Sequence, residues 1–155
     1  MSILTVGVDK QFTTITDAIA ASQDGDTIQV DAGNYVDQYA NINTDITLQA
    51  VGGMVNMISD QLIPNGKAIF ITNGDITIDG FSFSGAFVAD NNGAGIRYET
   101  GNLVLTNDYF HDNQEGLLGG GIDPAGTITI DNCEFDHNGD GSGFTHNLYV
   151  ALSLN

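Results

Sequence analysis

Apolar and polar residues alternate in three segments that repeat along the chain. Residues 76–83, 103–110 and 128–135 each have an apolar residue at the first, third and eighth positions. Alternation at the start of each segment is typical of a β-strand with one buried face, and the eighth position predicts a second buried residue beyond a turn. The segments begin 27 and 25 residues apart, so we predict a structural unit that repeats with this period.

A second set of short apolar segments lies between the members of the first set. Its members are residues 40–42, 68–71, 95–98, 116–118 and 147–150. Because the two sets share one period, each period is expected to form one coil of a solenoid. Every strand then pairs in parallel with its equivalents in the neighbouring coils, about 4.8 Å away. The sequence therefore predicts an all-β fold, a parallel β-helix, that forms a single domain over residues 1–155.

Stacked coils also place equivalent turn residues above one another. Asn107 and Asn132 are equivalent in this alignment, and so are Asn113 and Asn138. Side-chain amides at such positions form ladders in stacked sheets, and we expect two of them here.

The two ends of the solenoid have different sequence patterns. Residues 1–25 are predicted to cap the first coil, because residues 14–22 have the pattern of a short amphipathic helix with Thr14 as its N-cap. Residues 26–155 then form the coils. Residues 149–155 have the pattern of a further strand, which leaves an uncovered edge. We therefore expect either self-association through the last coil or its continuation in a longer chain.

The charge of the chain excludes several classes of partner. The sequence has 3 Lys+Arg and 20 Asp+Glu, a formal net charge of −17. Such a chain offers no basic patch, so we expect neither nucleic acid nor an anionic membrane surface as a partner. Many of the acidic residues are aspartates beside Gly or Asn, which is typical of tight turns. Aspartate oxygens are also ligands that Ca²⁺ prefers, and Asp112 and Asp136 are the candidates for a calcium site.

The amino-terminal sequence resembles a known superfamily of β-helix proteins. Residues 12–21 (FTTITDAIAA) and 25–30 (GDTIQV) are similar to the start of right-handed parallel β-helix proteins of the pectin-lyase-like superfamily. Residues 95–98 (GIRY) and 110–116 (FHDNQEG) resemble uncharacterised bacterial members. The resemblance implies a right-handed coil, an association with polysaccharides, and an extracellular or cell-surface location. The first residues lack the pattern of a secretory signal peptide, so a cytoplasmic location stays open.

The catalytic motifs of this superfamily are incomplete in the chain. Pectin methylesterases use a Gln-Asp pair followed later by an arginine, whereas this chain has Gln114-Glu115, and its single arginine, Arg97, precedes the pair. The aspartate cluster and the Gly-His and Arg-Ile-Lys motifs of polygalacturonases are absent. The resemblance therefore implies a fold and does not identify a reaction.

A candidate carbohydrate site lies on the strand set that contains Arg97. Ile96 and Tyr98 are predicted to face inward, so Arg97 faces outward. Phe70 from the preceding coil and Tyr149 from two coils later are predicted to share this outward column. An aromatic platform beside a guanidinium suits a sugar ring that carries a carboxylate. We therefore expect Phe70, Arg97 and Tyr149 to bind substrate.

Acidic and imidazole side chains in the neighbouring turns are candidates for catalysis. His111 aligns with Asp136 across coils, and Asp112 aligns with His137, so acid and base would alternate within hydrogen-bonding reach. A general base of this kind would remove the proton next to a uronic-acid carboxylate, the first step of β-elimination or epimerisation. His111, His137 and Glu115 are therefore candidate catalytic residues. Solvated turn residues have the same pattern, and that interpretation stays open.

Two further groups complete the catalytic hypothesis. Arg97 or Ca²⁺ would stabilise the developing enolate, and Tyr149 or a neutral histidine would return or donate a proton. Arg97 and Tyr149 are therefore candidate catalytic residues as well.

Three functions stay open on these grounds. The first is a carbohydrate-associated module, for binding or as a scaffold, of a larger or oligomeric bacterial or phage protein. The second is the amino-terminal part of a polysaccharide lyase or C5-epimerase that acts on a uronic-acid polymer. The third is a self-associating structural solenoid. The small number of coils, about 24 Å of stacked rungs, favours the first over an enzyme.

Overall fold

Every strand pair in the computed structural model, which describes residues 1–119 and 126–151, is parallel. The strands stack as a β-solenoid of about five turns, which confirms the predicted fold class. The elements are β1 (Ile3–Val6), α1 (Ile15–Ala21), β2 (Thr27–Val36), β3 (Ala40–Ile42), β4 (Thr47–Ile58), β5 (Ala68–Asn73), β6 (Ile76–Asp79), β7 (Phe81–Ser84), β8 (Ala94–Thr100), β9 (Leu103–Thr106), β10 (Tyr109–His111), β11 (Glu115–Gly119), β12 (Ile128–Asp131), β13 (Glu134–Asp136) and β14 (Leu148–Val150).

The strands form three faces. The first face contains β1, the first halves of β2 and β4, and then β6, β9 and β12. The second face contains the second halves of β2 and β4, followed by β7, β10 and β13. β2 serves both faces because its register with β4 shifts between Asp31 and Gly33, where the strand bends. The third face contains β3, β5, β8, β11 and β14.

The three repeated segments align position by position in the structure. On the first face, Leu103 pairs with both Ile76 and Ile128. On the second face, Phe110 pairs with both Phe83 and Phe135. The three phenylalanine rings stack inside the solenoid, with centroids 5.0 Å and 4.7 Å apart. Stacked rings add to the stabilisation that burial of their apolar area provides, so the repeat directly builds the core.

Turns between the faces use residues that tolerate a left-handed backbone. Gly80, Asn107 and Asn132 occupy equivalent corners, with φ angles of 80°, 56° and 52°. Glycine and asparagine adopt this conformation at the lowest cost. Asn132 donates a side-chain hydrogen bond to Asn107, which confirms the predicted ladder at this corner.

The second predicted ladder lies at the next corner. Asn113 Nδ2 donates to Asn138 Oδ1 at 3.0 Å, and Asn138 Nδ2 donates to Asn147 Oδ1 at 2.9 Å. Asn113 is buried and also donates to the Phe83 carbonyl and accepts from the Ala86 N–H. This ladder therefore satisfies backbone groups inside the turn.

Helix α1 covers the first coil as the sequence predicts. Thr14 is its N-cap, and its hydroxyl accepts the Asp17 N–H at 3.2 Å. Ile15, Ala18 and Ile19 are buried against the core. In the described part of the chain, no helix has the length and apolar character needed to cross a membrane.

The third face differs from the prediction by one residue of register. Ile96 pairs with Phe70, and Arg97 pairs with Ile71. Phe70 is therefore 0 % exposed and packs in the core against the Phe83 ring. The prediction that Phe70 faces outward and contacts substrate is wrong, because a shift of one residue moves a strand side chain to the opposite face.

Candidate functional site

The outer surface of the third face carries two columns of side chains. One column runs from Ile71 through Arg97 and Leu118 to Tyr149, each residue in register with the next. The other column contains Ala68, Ala94 and Glu115. Ala68, Ile71 and Ala94, with Leu118 packed against them, form an apolar cluster separate from the core.

Residues 138–147, which we call the 138–147 loop, meet the end of the second column. The Asn138 amide anchors the two ends of this loop by donating to Asn147 at 2.9 Å. Within it, the Thr145 hydroxyl donates to Asp140 Oδ1 at 2.7 Å. Asparagine, aspartate and threonine side chains of this kind close turns by bonding locally.

Glu115 is buried where the loop meets the face. Glu115 is 1 % exposed, and its Oε2 accepts the His146 backbone N–H at 2.9 Å. The His146 imidazole Nδ1 lies 3.6 Å from the same oxygen and makes no hydrogen bond. Burial raises the pKa of the Glu115 carboxyl, and the contacts with His146 oppose this rise.

A pocket of about 330 Å³ lies between the loop and the third face. Glu115, Leu118 and Tyr149 line it from the face, and Gly143, Phe144 and His146 line it from the loop, with Asn92 at its edge. Phe144 is 83 % exposed and Tyr149 is 47 % exposed. The His146 and Tyr149 rings are 5.1 Å apart. We call this the third-face pocket; it presents aromatic rings around one buried carboxyl group.

Arg97 lies in the same register column as Tyr149, two rungs away, as predicted. Two rungs correspond to roughly 10 Å, and Leu118 lies between them. Arg97 Nε is 3.4 Å from Glu99 Oε1, and Lys67 Nζ is 3.5 Å from the same oxygen. Both cations therefore share one carboxylate, and the Arg97 side chain is positioned by Glu99.

The predicted histidine and aspartate pairs lie at the second-face corner. His111 is in register with Asp136, as predicted. The short contacts, however, form within each coil: His111 Nδ1 is 2.7 Å from Asp112 Oδ2, and His137 Nδ1 is 2.7 Å from Asp136 Oδ1. The hydrogen bond to Asp136 raises the pKa of His137. The short contacts of these imidazoles and carboxylates therefore join adjacent residues within a coil, and they do not join residues of neighbouring coils.

His111 also takes part in a hydrogen-bond chain with a serine. Ser82 Oγ is 3.2 Å from His111 Nε2, so Ser82, His111 and Asp112 stand in the order of a nucleophile, a base and an orienting acid. The Tyr109 ring stacks on the imidazole at 4.3 Å, and Ser82 is only 4 % exposed. Unlike Glu115, Ser82 does not line the third-face pocket, and its contact with His111 joins β7 to β10 on the second face.

A groove of about 500 Å³ runs along this corner. Asp112 and His137 line it, together with the half-exposed Phe87 ring and Asp140 of the 138–147 loop. Among residues 1–119 and 126–151, no group of three or more His, Cys, Asp or Glu side chains is arranged to hold a metal ion. The calcium site at Asp112 and Asp136 therefore stays a prediction.

The structure brings together only part of the predicted site. Glu115 and Tyr149 share the third-face pocket, whereas His111 and His137 belong to the second-face corner. His146 and Phe144 complete the pocket and were not among the predicted site residues. The glycines around them, at 139, 141 and 143, indicate a loop, but no periodicity in the sequence assigns that loop to the third face.

No protein-family model, curated protein or solved structure matches the chain. The fold is therefore identified from its strand pairing, as a parallel β-solenoid.

Proposed function

We propose that the protein is a carbohydrate-binding β-solenoid module of a larger or oligomeric extracellular protein of a bacterium or phage. The observation that carries this proposal is the third-face pocket, in which exposed aromatic rings surround a buried polar group. Aromatic faces pack against the apolar faces of sugar rings, and a few placed polar groups fix their orientation. The resemblance of residues 12–30 to the pectin-lyase-like superfamily supports the same class of ligand.

The shape of the third face supports a polymeric ligand. Leu118 and Arg97 continue from the pocket along the solenoid axis in the same register column as Tyr149. An extended glycan that enters the pocket at Tyr149 would therefore meet a regular row of side chains, one for each rung of about 4.8 Å.

The test is a calorimetric titration with a panel of short glycans. Phe144→Ala is expected to reduce affinity at least fivefold, because its ring is exposed and available to a ligand. Phe87→Ala is the matched control, since that ring is also exposed but lies in the second-face groove. If the two variants lose affinity equally, or if no glycan binds in the millimolar range, the proposal is rejected.

A second candidate function is that of a polysaccharide lyase or epimerase, and the contact between Glu115 and His146 favours it. A carboxyl with a raised pKa beside an imidazole is an arrangement suited to general acid–base catalysis. Incubation with alginate and pectate, with absorbance used to detect unsaturated products, tests this candidate. Product formation that requires His146, and that Phe87→Ala preserves, would support it; the absence of product would reject it.

We also propose that a second copy of the chain stacks on the last described coil. In the last described coil, β12, β13 and β14 each pair on one side only, with the strands of the preceding coil. Ile130 is 39 % exposed and Leu148 is 41 % exposed, whereas their register partners Leu105 and Leu117 are 0 % exposed. Mass measurement in solution tests this: a monomer at high concentration rejects it, and an oligomer that Leu148→Asp dissociates supports it.

A further inference from the structure

Glu115 and His146 both line the third-face pocket and bring two polar atoms close together. Glu115 Oε2 accepts only the His146 backbone N–H among the hydrogen bonds of the described residues. His146 Nδ1 is buried and makes no hydrogen bond among the described residues, and in the tautomer that carries the proton on Nε2 this atom is an acceptor. The separation of 3.6 Å between Nδ1 and Oε2 is too long for a hydrogen bond. A ligand with several N–H donors would satisfy both atoms.

Aromatic rings flank these acceptors. Phe144 and Tyr149 line the pocket, and both rings are substantially exposed. The faces of such rings attract cations within about 6 Å. A carboxylate combined with two aromatic rings therefore favours a ligand that carries positive charge over a neutral one.

The charges of the chain favour the same ligand. The formal net charge is −17, and the described residues that line the pocket include no Lys or Arg. The two cations on the third face, Lys67 and Arg97, are both in contact with Glu99. The negative charge of Asp140 contributes to the raised pKa of Glu115. A carboxylate-bearing sugar would meet repulsion in the pocket, whereas a cation would be attracted.

We propose that the third-face pocket binds an ammonium group, presented by an amino sugar unit of the glycan. This inference rests on the proposed carbohydrate-binding function and names its substrate class. The ammonium group donates one hydrogen bond to the Glu115 carboxylate and one to His146 Nδ1, and its third donor faces Asn92 or water. The sugar ring packs against Tyr149, and Phe144 covers the charged group. The pocket volume of about 330 Å³ accommodates one such unit.

The test compares two disaccharides that differ only at the nitrogen. The β-1,4-linked disaccharide of glucosamine carries ammonium groups, and its N-acetylated form is neutral. Titration calorimetry at pH 7 and 0.15 M ionic strength, where the Debye length is about 8 Å, limits the contribution of distant charges. We expect the glucosamine disaccharide to bind at least tenfold tighter than the acetylated form.

Variants assign this preference to the pocket. Glu115→Gln is expected to abolish the tenfold preference. Asp17→Asn, on the exposed side of helix α1, removes the same charge elsewhere and is expected to keep it. Because Glu115 is buried and its substitution can disturb the loop, Phe144→Ala is the second variant. Phe144 is 83 % exposed, and we expect its replacement to cause at least a fivefold loss of affinity for the glucosamine disaccharide and a smaller loss for the acetylated form.

The outcomes separate this inference from the function on which it rests. Equal affinity for both disaccharides, or tighter binding of a uronic-acid disaccharide, overturns the inference and leaves carbohydrate binding intact. If neither disaccharide binds in the millimolar range, the inference fails, and the proposed function fails with it only if no other glycan of the panel binds. Propylamine tests the source of the ammonium group: if it binds as tightly as the glucosamine disaccharide, the ligand is a simple amine, and the assignment to a sugar is wrong. A preference that Asp17→Asn also removes reflects net charge alone and overturns the inference.

Discussion

Asp108 provides a sharp test of the energetics of this fold. Asp108 lies in the corner that follows β9 and is 2 % exposed. Oδ1 accepts the Phe81 N–H at 2.7 Å, and Oδ2 is buried without a partner. Burial raises the pKa of this carboxyl to about 8, and the nearby charge of Asp79 adds to the rise, against the opposing effect of the backbone N–H donors.

The size and sign of the effect follow from linkage between protonation and folding. An unfolded aspartate has a pKa of about 3.9, so above that pH the unfolded chain loses a proton that folded Asp108 retains. Because the folded pKa is the higher one, the contribution of Asp108 to stability is complete below pH 4 and is lost as the pH rises towards 8. The loss amounts to about 1.4 kcal/mol for each pH unit, or about 4 kcal/mol between pH 5 and pH 8.

The variant Asp108→Asn removes this titration and keeps the oxygen that accepts the Phe81 N–H. We expect its free energy of unfolding, measured by urea denaturation from pH 5 to pH 8, to rise relative to the wild type by about 4 kcal/mol across that range. The new amide group can add a constant offset to this pH-dependent difference, but a difference that stays the same from pH 5 to pH 8 would refute the assignment. Asp17→Asn is the matched control for removal of one charge.

Three other properties of the fold can be tested in the same way. Asn113→Leu leaves the Ala86 N–H and other buried groups without their partner, and we expect a loss of about 2–5 kcal/mol in urea denaturation. Gly101→Ala and Gly25→Ala both place a side chain at a positive φ, which costs about 1–2 kcal/mol of stability each. Only the methyl group added at position 101 meets backbone atoms of the neighbouring coil, so Gly101→Ala should lower the melting temperature more than Gly25→Ala. Asp136→Asn removes the hydrogen bond that raises the pKa of His137, and NMR titration should therefore find that pKa lower than in the wild type.

Each of these tests has an outcome that contradicts the structure. A stability within about 0.5 kcal/mol of the wild type for Asn113→Leu would mean that the buried amide is not needed to satisfy the turn. Equal melting temperatures for the two alanine variants would mean that the coils do not approach closely at Gly101. An unchanged or higher His137 pKa in Asp136→Asn would mean that the two side chains do not interact in solution.

The sequence predicted the first two faces well because their residues follow a strict spacing. Alternation places Ile76, Leu103 and Ile128 in one column that faces the core, and the same spacing brings Phe83 next to Phe110 in the stack. Such positions must be apolar wherever a strand has one buried face, so the hydrophobic pattern predicts which residues of neighbouring coils pair.

The third face could be predicted only in part, because the coils that precede it vary in length. A count from Ile42 pairs Ile96 with Ile69, whereas the structure pairs Ile96 with Phe70. The apolar run Ala68–Ile71 contains no polar residue to indicate which side faces outward, so the sequence offers no signal against a slip of one residue.

The third-face pocket was the least predictable part of the site. Glu115 was identified from its residue type, but its burial depends on the path of the 138–147 loop. Loops follow hydrogen bonds such as those of Asn138 and Asp140 rather than a hydrophobic period. His146 therefore had no repeat partner through which it could be recognised.

The in-register stacking of the coils also determines how the chain tolerates changes in its length. Each coil contacts mainly the coil before it and the coil after it, so the addition of one whole period, such as residues 76–102, would lengthen the body by a single rung and keep every interface of its neighbours. One residue inserted in β9 before Leu105 would instead turn the Leu105 side chain outward and place a polar neighbour in the core. A solenoid of this kind can therefore gain or lose length in whole turns. The third-face pocket would keep its structure after such a change, because the terminal turns that form it stay together.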